Sequence, residues 1–276
     1  MRVVISRDKL EGYYIQKRLS SRKIAKIYGC AYSTIDRKIR QFGFKIRTLA
    51  DAHVIYPRTG FSGDLNEKAY ILGFAIGDLR VRKIYKNSET IHVDCASSKV
   101  EQIDLIKGLF KGYGRVWIGK PNKKGAVQIE CFLNDSFDFL LNADKDIIEP
   151  WIKNNKHYFA NYLAGFTDAE GSFYISRDKA FYALGNYNIQ LLMQIKDNLK
   201  KYGVESPKIS CSVRKGTIAS HGYAYNNDYW SLVISKKNEL IKLFTLIEPY
   251  IKHASRKKNL LLARQNIEWR NELYGK

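Results

Sequence analysis

Two acids stand at matching places in two similar stretches of this 276-residue chain. Asp78 closes the run Tyr70-Ile71-Leu72-Gly73-Phe74-Ala75-Ile76-Gly77-Asp78. Glu170 closes Tyr162-Leu163-Ala164-Gly165-Phe166-Thr167-Asp168-Ala169-Glu170, 92 residues further on. Tyr70/Tyr162, Gly73/Gly165 and Phe74/Phe166 coincide, and a small residue recurs at Gly77/Ala169. Small residues four apart share one face of a helix. A glycine inside a helix costs about 1 kcal/mol against alanine, so the pattern predicts two helices that need close backbone approach. If they pack on each other, their C-terminal ends meet and Asp78 and Glu170 lie side by side. Crowded carboxylates at the negative end of two helix dipoles repel, which is poor for stability. They suit a hard divalent cation, which takes oxygen ligands. Asp78, Glu170, Gly77 and Ala169 are therefore the candidate metal site. Mg²⁺ there, or Mn²⁺ in its place, would polarise a phosphate and activate water.

The elements that position these acids follow the repeat. After each motif the pattern changes to period two, as in Arg80-Val81-Arg82 and Ser172-Phe173-Tyr174-Ile175-Ser176. Lys208, Ser210, Ser212 and Arg214 alternate with Ile209, Cys211 and Val213, and Gln128 and Glu130 with Val127, Ile129 and Cys131. Amphipathic helices are predicted near 100–111, 191–202 and 238–246. Each half, 66–157 and 158–276, thus reads α-β-β-α-β-β-α. The expected fold class is α+β: two pseudo-symmetric halves, each an antiparallel sheet with helices on one side and a polar, basic face left open.

Lys and Arg number 47 against 27 acids, a net charge of +20, which attracts polyanions. Residues 1–48 hold 13 of these cations against Asp8, Glu11 and Asp36, so about half the surplus sits in a sixth of the chain. There a serine at Ser20-Ser21 can cap a helix running to Tyr28, Gly29 suits a left-handed turn, and a third helix follows from about Tyr32 to Phe42 with a Ser33-Thr34 start. Ala25, Gly29 and Ile35 occupy the small, turn and core positions of a helix-turn-helix, and the outer face presents Tyr32, Ser33, Asp36, Arg37 and Arg40 to a major groove. Residues 49–65, with Pro57, Gly60 and Gly63, read as a linker. No stretch approaches the ~18 apolar residues of a spanning helix, and Met1–Lys9 lacks the apolar core of a secretory signal. Cys30, Cys95, Cys131 and Cys211 form no C-x-x-C pair and are expected as reduced thiols, in the cytoplasm or the DNA-containing compartment of an organelle.

The two motifs resemble those of the LAGLIDADG homing endonucleases in their single-chain, two-motif form. Leu163-Ala164-Gly165-Phe166-Thr167-Asp168-Ala169-Glu170-Gly171 matches closely. Ile71-Leu72-Gly73-Phe74-Ala75-Ile76-Gly77-Asp78-Leu79 departs at Ile76, a departure that carries no ligand, and at Leu79, the final glycine. The resemblance spans about residues 66–272, with the helix-turn-helix an addition found in some relatives. It implies cleavage of both DNA strands across the minor groove by a monomer on a long asymmetric duplex site, with Asp78 and Glu170 as metal-binding acids. It also implies that the open sheet faces lie in the major groove. Candidate contacts are Arg80, Arg82, Lys86, His92, Arg115 and Trp117 in the first half. In the second they are Ser172, Tyr174, Ser176, Lys208, Ser210, Ser212, Arg214, Tyr229 and Ser231. Relatives place assisting basic or polar residues near the site; Lys99, Lys156 and Lys252 are the nearest candidates, with Lys153, Lys258, Asn186 and Asn188 as alternatives. A splicing helper for intron RNA and a non-cutting DNA-binding regulator are competing functions; retention of both acids argues against the first as sole function and against the second.

Overall fold

The computed structural model describes residues 4–47, 56–219, 222 and 224–274. The chain divides into two compact units, Met1–Pro57 and Arg58–Lys276. In the first, α1 (Arg7–Glu11) runs on as a π-helical turn, Gly12–Gln16, and is followed by α2 (Ser21–Tyr28) and α3 (Tyr32–Gln41). Leu10, Tyr14, Ile24, Ala25, Ile35 and Ile39 form a core of their own. Ser20 caps α2 by accepting from the Lys23 N–H at 3.2 Å, and Gly29 ends it at φ 60°. The start of α3 differs from the expectation: Ala31 holds the cap position without a side-chain bond. The left-handed Gly29 turns the chain so quickly that Tyr32 is already helical, and Ser33 and Thr34 come too late to cap.

Of the expected linker, residues 49–55 lie outside the described residues. Residues 58–64 belong to the second unit. The Phe61 ring packs 5.3 Å from Phe137 and 5.2 Å from Phe139, and Arg58 donates to Thr90 Oγ1 at 2.6 Å and to the Leu133 carbonyl at 3.2 Å. One aromatic in a polar stretch is enough to dock it.

The second unit begins with α4 (Leu65–Asp78), capped by Asp64. Then come β1 (Arg80–Arg82), β2 (Ile91–Ser97), α5 (Val100–Phe110), β3 (Arg115–Ile118) and β4 (Val127–Leu133). A 3₁₀ turn, Asp135–Leu140, and the one-turn α6 (Pro150–Lys153) close the first half. The second half repeats the plan: α7 (Lys156–Glu170), β5 (Gly171–Ser176), β6 (Lys179–Asn186), α8 (Ile189–Lys201), β7 (Ser210–Val213), β8 (Tyr229–Ile234) and α9 (Lys237–Ile247). Each sheet is antiparallel, ordered β1-β2-β4-β3 and β5-β6-β8-β7. Ile91, Val93, Ile129, Cys131, Phe173, Tyr182, Leu184 and Leu232 fill the helix-covered faces, as the period-two pattern predicts.

Two elements depart from that plan. The first half closes with a single helical turn: Pro150 starts it, at the position where a missing N–H costs nothing, and Asn154 ends it. The second half adds α10 (Ala254–Tyr274), packed on β5 and β6 through Leu260, Ala263 and Ile267. Those three are diluted among charged residues, so α10 leaves little apolar pattern to read. All four cysteines are free thiols, and burial pushes Cys131 up to about 12. Among the described residues no helix is long and apolar enough to cross a membrane.

Candidate functional site

Helices α4 and α7 meet through their glycines. A Cβ built on Gly73 would stand 2.0 Å from the Tyr162 carbonyl oxygen, and one on Gly165 would stand 2.1 Å from that of Tyr70. Both are impossible contacts, so only glycine permits this approach. One turn on, a Cβ at Gly77 would lie 2.5 Å from Ala169 Cβ and 2.9 Å from Glu170 Cγ. The two last turns therefore adjoin, and Asp78 and Glu170 are the final helical residues of each. Tyr70 and Tyr162, buried beside the glycines, stiffen the crossing.

The pair is electrostatically uneven. Burial pushes the Glu170 carboxyl up to about 7, the Asp78 charge adds to the rise, and Arg256 opposes it. Burial also raises Asp78, but the Gln102 amide donates to Asp78 Oδ2 at 2.7 Å, and Arg256 and Lys99 draw it back. Asp78 opens into a cleft of about 320 Å³ lined also by Lys99, Gln102, Ala169, His253 and Arg256; Glu170, next to Ala169, lies behind that lining.

Of the three expected assisting lysines, the structure brings only Lys99 there. Lys156 is the first residue of α7, about 21 Å along the helix from Glu170 at 1.5 Å per residue. The Lys252 ammonium sits 4.2 Å from the centre of the Tyr70 ring, two turns before Asp78. Asp168 is the cause of this second displacement. Fully buried, it accepts from the Tyr70 hydroxyl, the Lys252 N–H at 2.7 Å and the His253 N–H at 3.1 Å, and burial holds its carboxyl near 6. His253 Nδ1 then takes the Arg256 N–H at the start of α10, and the side chain delivered to the acids is Arg256. Sequence reasoning missed Arg256, His253 and Gln102, which no spacing marks. Asp168 did leave a signal, as a carboxylate inside an otherwise apolar helix.

Among the described residues no three His, Cys, Asp or Glu side chains converge as a ready-made metal cage. The donor set nonetheless fits a hard cation. Two partly buried carboxylates with raised affinity for positive charge stand beside helix-end carbonyls, Gly77 and Ala169 included, that have no partner within their own helices. The remaining positions would fall to water and substrate oxygens, the usual surroundings of Mg²⁺.

Beyond the acids, register sorts the expected contact residues. Arg80, Arg82, Arg115 and Trp117 share the open face of the first sheet with His92, Asp94, Glu130 and Phe132. His92 is not available there. It is 3 % exposed, stacked 5.0 Å from Phe132 and flanked by Asp94 and Glu130. Those two acids also make the face less uniformly basic than expected. Lys86 is exposed in the loop between β1 and β2. In the second sheet, Ser172, Tyr174, Ser176 and Ser231 share the open face. Ser210 pairs with Ser231, Ser212 Oγ lies 2.5 Å from Ser231 Oγ, and the Tyr229 ring covers Gly185. An irregularity between Cys211 and Val213 breaks the strict alternation, and Lys208 and Arg214 flank β7 outside the strand. On α3 of the first unit, Tyr32, Ser33, Arg37 and Arg40 are exposed opposite buried Ile35 and Ile39, with Asp36 half-buried.

Residues 163–267 match the family model described as LAGLIDADG endonuclease. No curated protein matches the chain. Among solved structures, the homing endonuclease I-WcaI bound to its DNA recognition sequence aligns at TM-score 0.50 and 16% identity, over 81% of this chain and 97% of that one. I-DmoI in complex with DNA and Mn aligns at 0.46 and 20%, over 66% and 96%. The LAGLIDADG meganuclease I-AabMI bound to uncleaved DNA aligns at 0.47 and 13%, over 74% and 91%.

Proposed function

From a chain that carries LAGLIDADG endonuclease sequence over residues 163–267, in the fold of a homing endonuclease, we propose a site-specific DNA endonuclease that uses a divalent metal to hydrolyse both strands. The observation that carries this is the crowded pair: Asp78 and Glu170, half-buried at adjoining helix ends, with Glu170 pushed up to about 7.

When bound between these acids, Mg²⁺ or Mn²⁺ supplies Lewis acidity toward a phosphate oxygen and lowers the pKa of a bound water. The chain's own residues do the rest. Asp78 and Glu170 would hold the ion, brought together by a helix contact that only glycine allows. Gln102 holds Asp78 Oδ2, which orients the carboxylate in the cleft. Arg256 and Lys99, the cations nearest the acids, offset the charge of a phosphate brought between them. The open sheet faces on either side hold the duplex as a monomer, so the scissile phosphates reach the junction of the halves.

Asp78→Asn and Glu170→Gln test the reading, since each keeps size while removing a charge. Both variants are expected to bind DNA without metal as the parent does. Double-strand cleavage with Mg²⁺ falls at least about 100-fold, the scale of losing a preorganised charge at a reacting phosphate. Unimpaired double-strand cleavage in either variant removes the pair from the reaction and the nuclease reading with it. Sedimentation of the complex gives one protein per duplex.

A further inference from the structure

On the open face of the first sheet, Arg82 is tied in place. Its Nε donates to Asp94 Oδ1 at 3.2 Å, and Asp94 Oδ2 accepts from Gln128 Nε2 at 3.4 Å. Asp94 is itself buried, beside a His92 covered by Phe132, so its carboxylate has no room to swing away. The Arg82 side chain remains 40% exposed. Contact through Nε leaves its two Nη groups uncommitted among the described residues.

We propose that Arg82 reads a guanine in the major groove of the first half-site, and that Asp94 is the positioning residue that holds its guanidinium for this purpose. The proposal rests on the DNA-endonuclease function proposed for this chain and assigns a base to one residue of it. Three physical points favour guanine over a phosphate. A guanidinium offers paired donors in a fixed fork, matching guanine O6 and N7. The Asp94 carboxylate offsets most of the Arg82 charge and would repel a phosphate, whereas O6 and N7 are acceptors on a neutral base. A long side chain held before DNA arrives loses less freedom on binding, which favours a contact of defined geometry over a diffuse one. Arg80 is the contrast: exposed on the same face and facing Asp94 in register, it forms no hydrogen bond to that acid and suits phosphate.

The position is also constrained. Arg82 lies four residues beyond Asp78, about 13 Å along an extended strand. At about 3.4 Å per base step the guanine falls within about four base pairs of the cleavage centre.

Binding selection from a randomised duplex library without divalent metal tests this independently of cutting. The wild-type chain is expected to enrich sites with a G·C pair at that distance, favoured about 5- to 150-fold over other pairs. Arg82→Ala abolishes the preference at that pair and leaves the others. Arg82→Lys weakens it, since an ammonium can still donate to O6 and N7 but lacks the fork and the Nε–H that Asp94 holds. Asp94→Asn has a signature that mere misfolding lacks: the preference flattens while affinity for all sequences rises and its salt dependence steepens, because the Arg82 charge is released to phosphates. Unchanged preferences at every position in Arg82→Ala overturn the proposal, as does the disappearance of an A·T preference in its place. A wild-type chain that enriches nothing overturns the DNA-endonuclease function itself, and this inference with it.

Discussion

Glu170 keeps its proton to about pH 7 because burial and the neighbouring Asp78 both disfavour its charge. An unfolded glutamate releases it near 4.5. The folded pKa is raised, so the group's contribution to stability is fully present below pH 4.5 and is lost as pH rises through 7. Glu170→Gln removes that loss. At pH 8 without metal the variant is expected to unfold at higher urea, by about 1–2 kcal/mol once the part-exposed site is discounted for solvent screening. At pH 4.5 the two proteins should coincide. Added Mg²⁺ should raise the wild-type midpoint at pH 8 and leave the variant's where it was; equal midpoints at pH 8 without metal would mean the acids are not crowded. The acids themselves were legible because spacing alone put them just past a pair of small residues. Arg256 and Gln102 were not, since each reaches the cleft from an element that only tertiary packing brings there.

Helix α4 and helix α7 are held by backbone against backbone, which gives glycine substitutions opposite signs at different places. Gly165→Ala gains the usual helix preference of about 1 kcal/mol but drives a methyl to 2.1 Å from the Tyr70 carbonyl. The helices must part, and a net loss of about 1–3 kcal/mol follows, the range for overpacking a close interface. Gly108, inside α5, has nothing within 4 Å of its missing methyl, so Gly108→Ala should stabilise by up to about 1 kcal/mol. Thermal unfolding of the two variants checks the contrast, and a stabilised Gly165→Ala would deny the close approach. At this scale the motif helices and strands β1, β4 and β5 were readable from periodicity, whereas the irregularity in β7 and the burial of His92 were not. The one-turn end of the first half and the long α10 were not. A helix that Pro150 starts and Asn154 ends is too short to leave a pattern, and among the described residues α10 buries just Leu260, Ala263 and Ile267.

Residues 1–57 and 58–276 have separate cores, and the acids, Gln102 and Arg256 all belong to the second unit. A fragment of 58–276 is therefore expected to fold and to cut with Mg²⁺. It should bind DNA more weakly, with a salt dependence shallower by about 0.9 for each phosphate that the first unit no longer neutralises. Titration of both proteins across ionic strength checks this; identical slopes would mean that α3 and its arginines meet no DNA. The placing of Arg256 at the start of α10 has a consequence in time. A chain is synthesised from its N-terminus at about 5–20 residues per second. Asp78 emerges 92 residues before Glu170, and Arg256 later still. For several seconds the nascent first half exposes the glycine-notched side of α4 with no α7 to cover it. Until α7 is made, that side of α4 and Asp78 both stand without their partners. Under the proposed function, which needs both acids, a chain stopped before Glu170 could not cut, so ribosomes that stall in the first half would release it inactive.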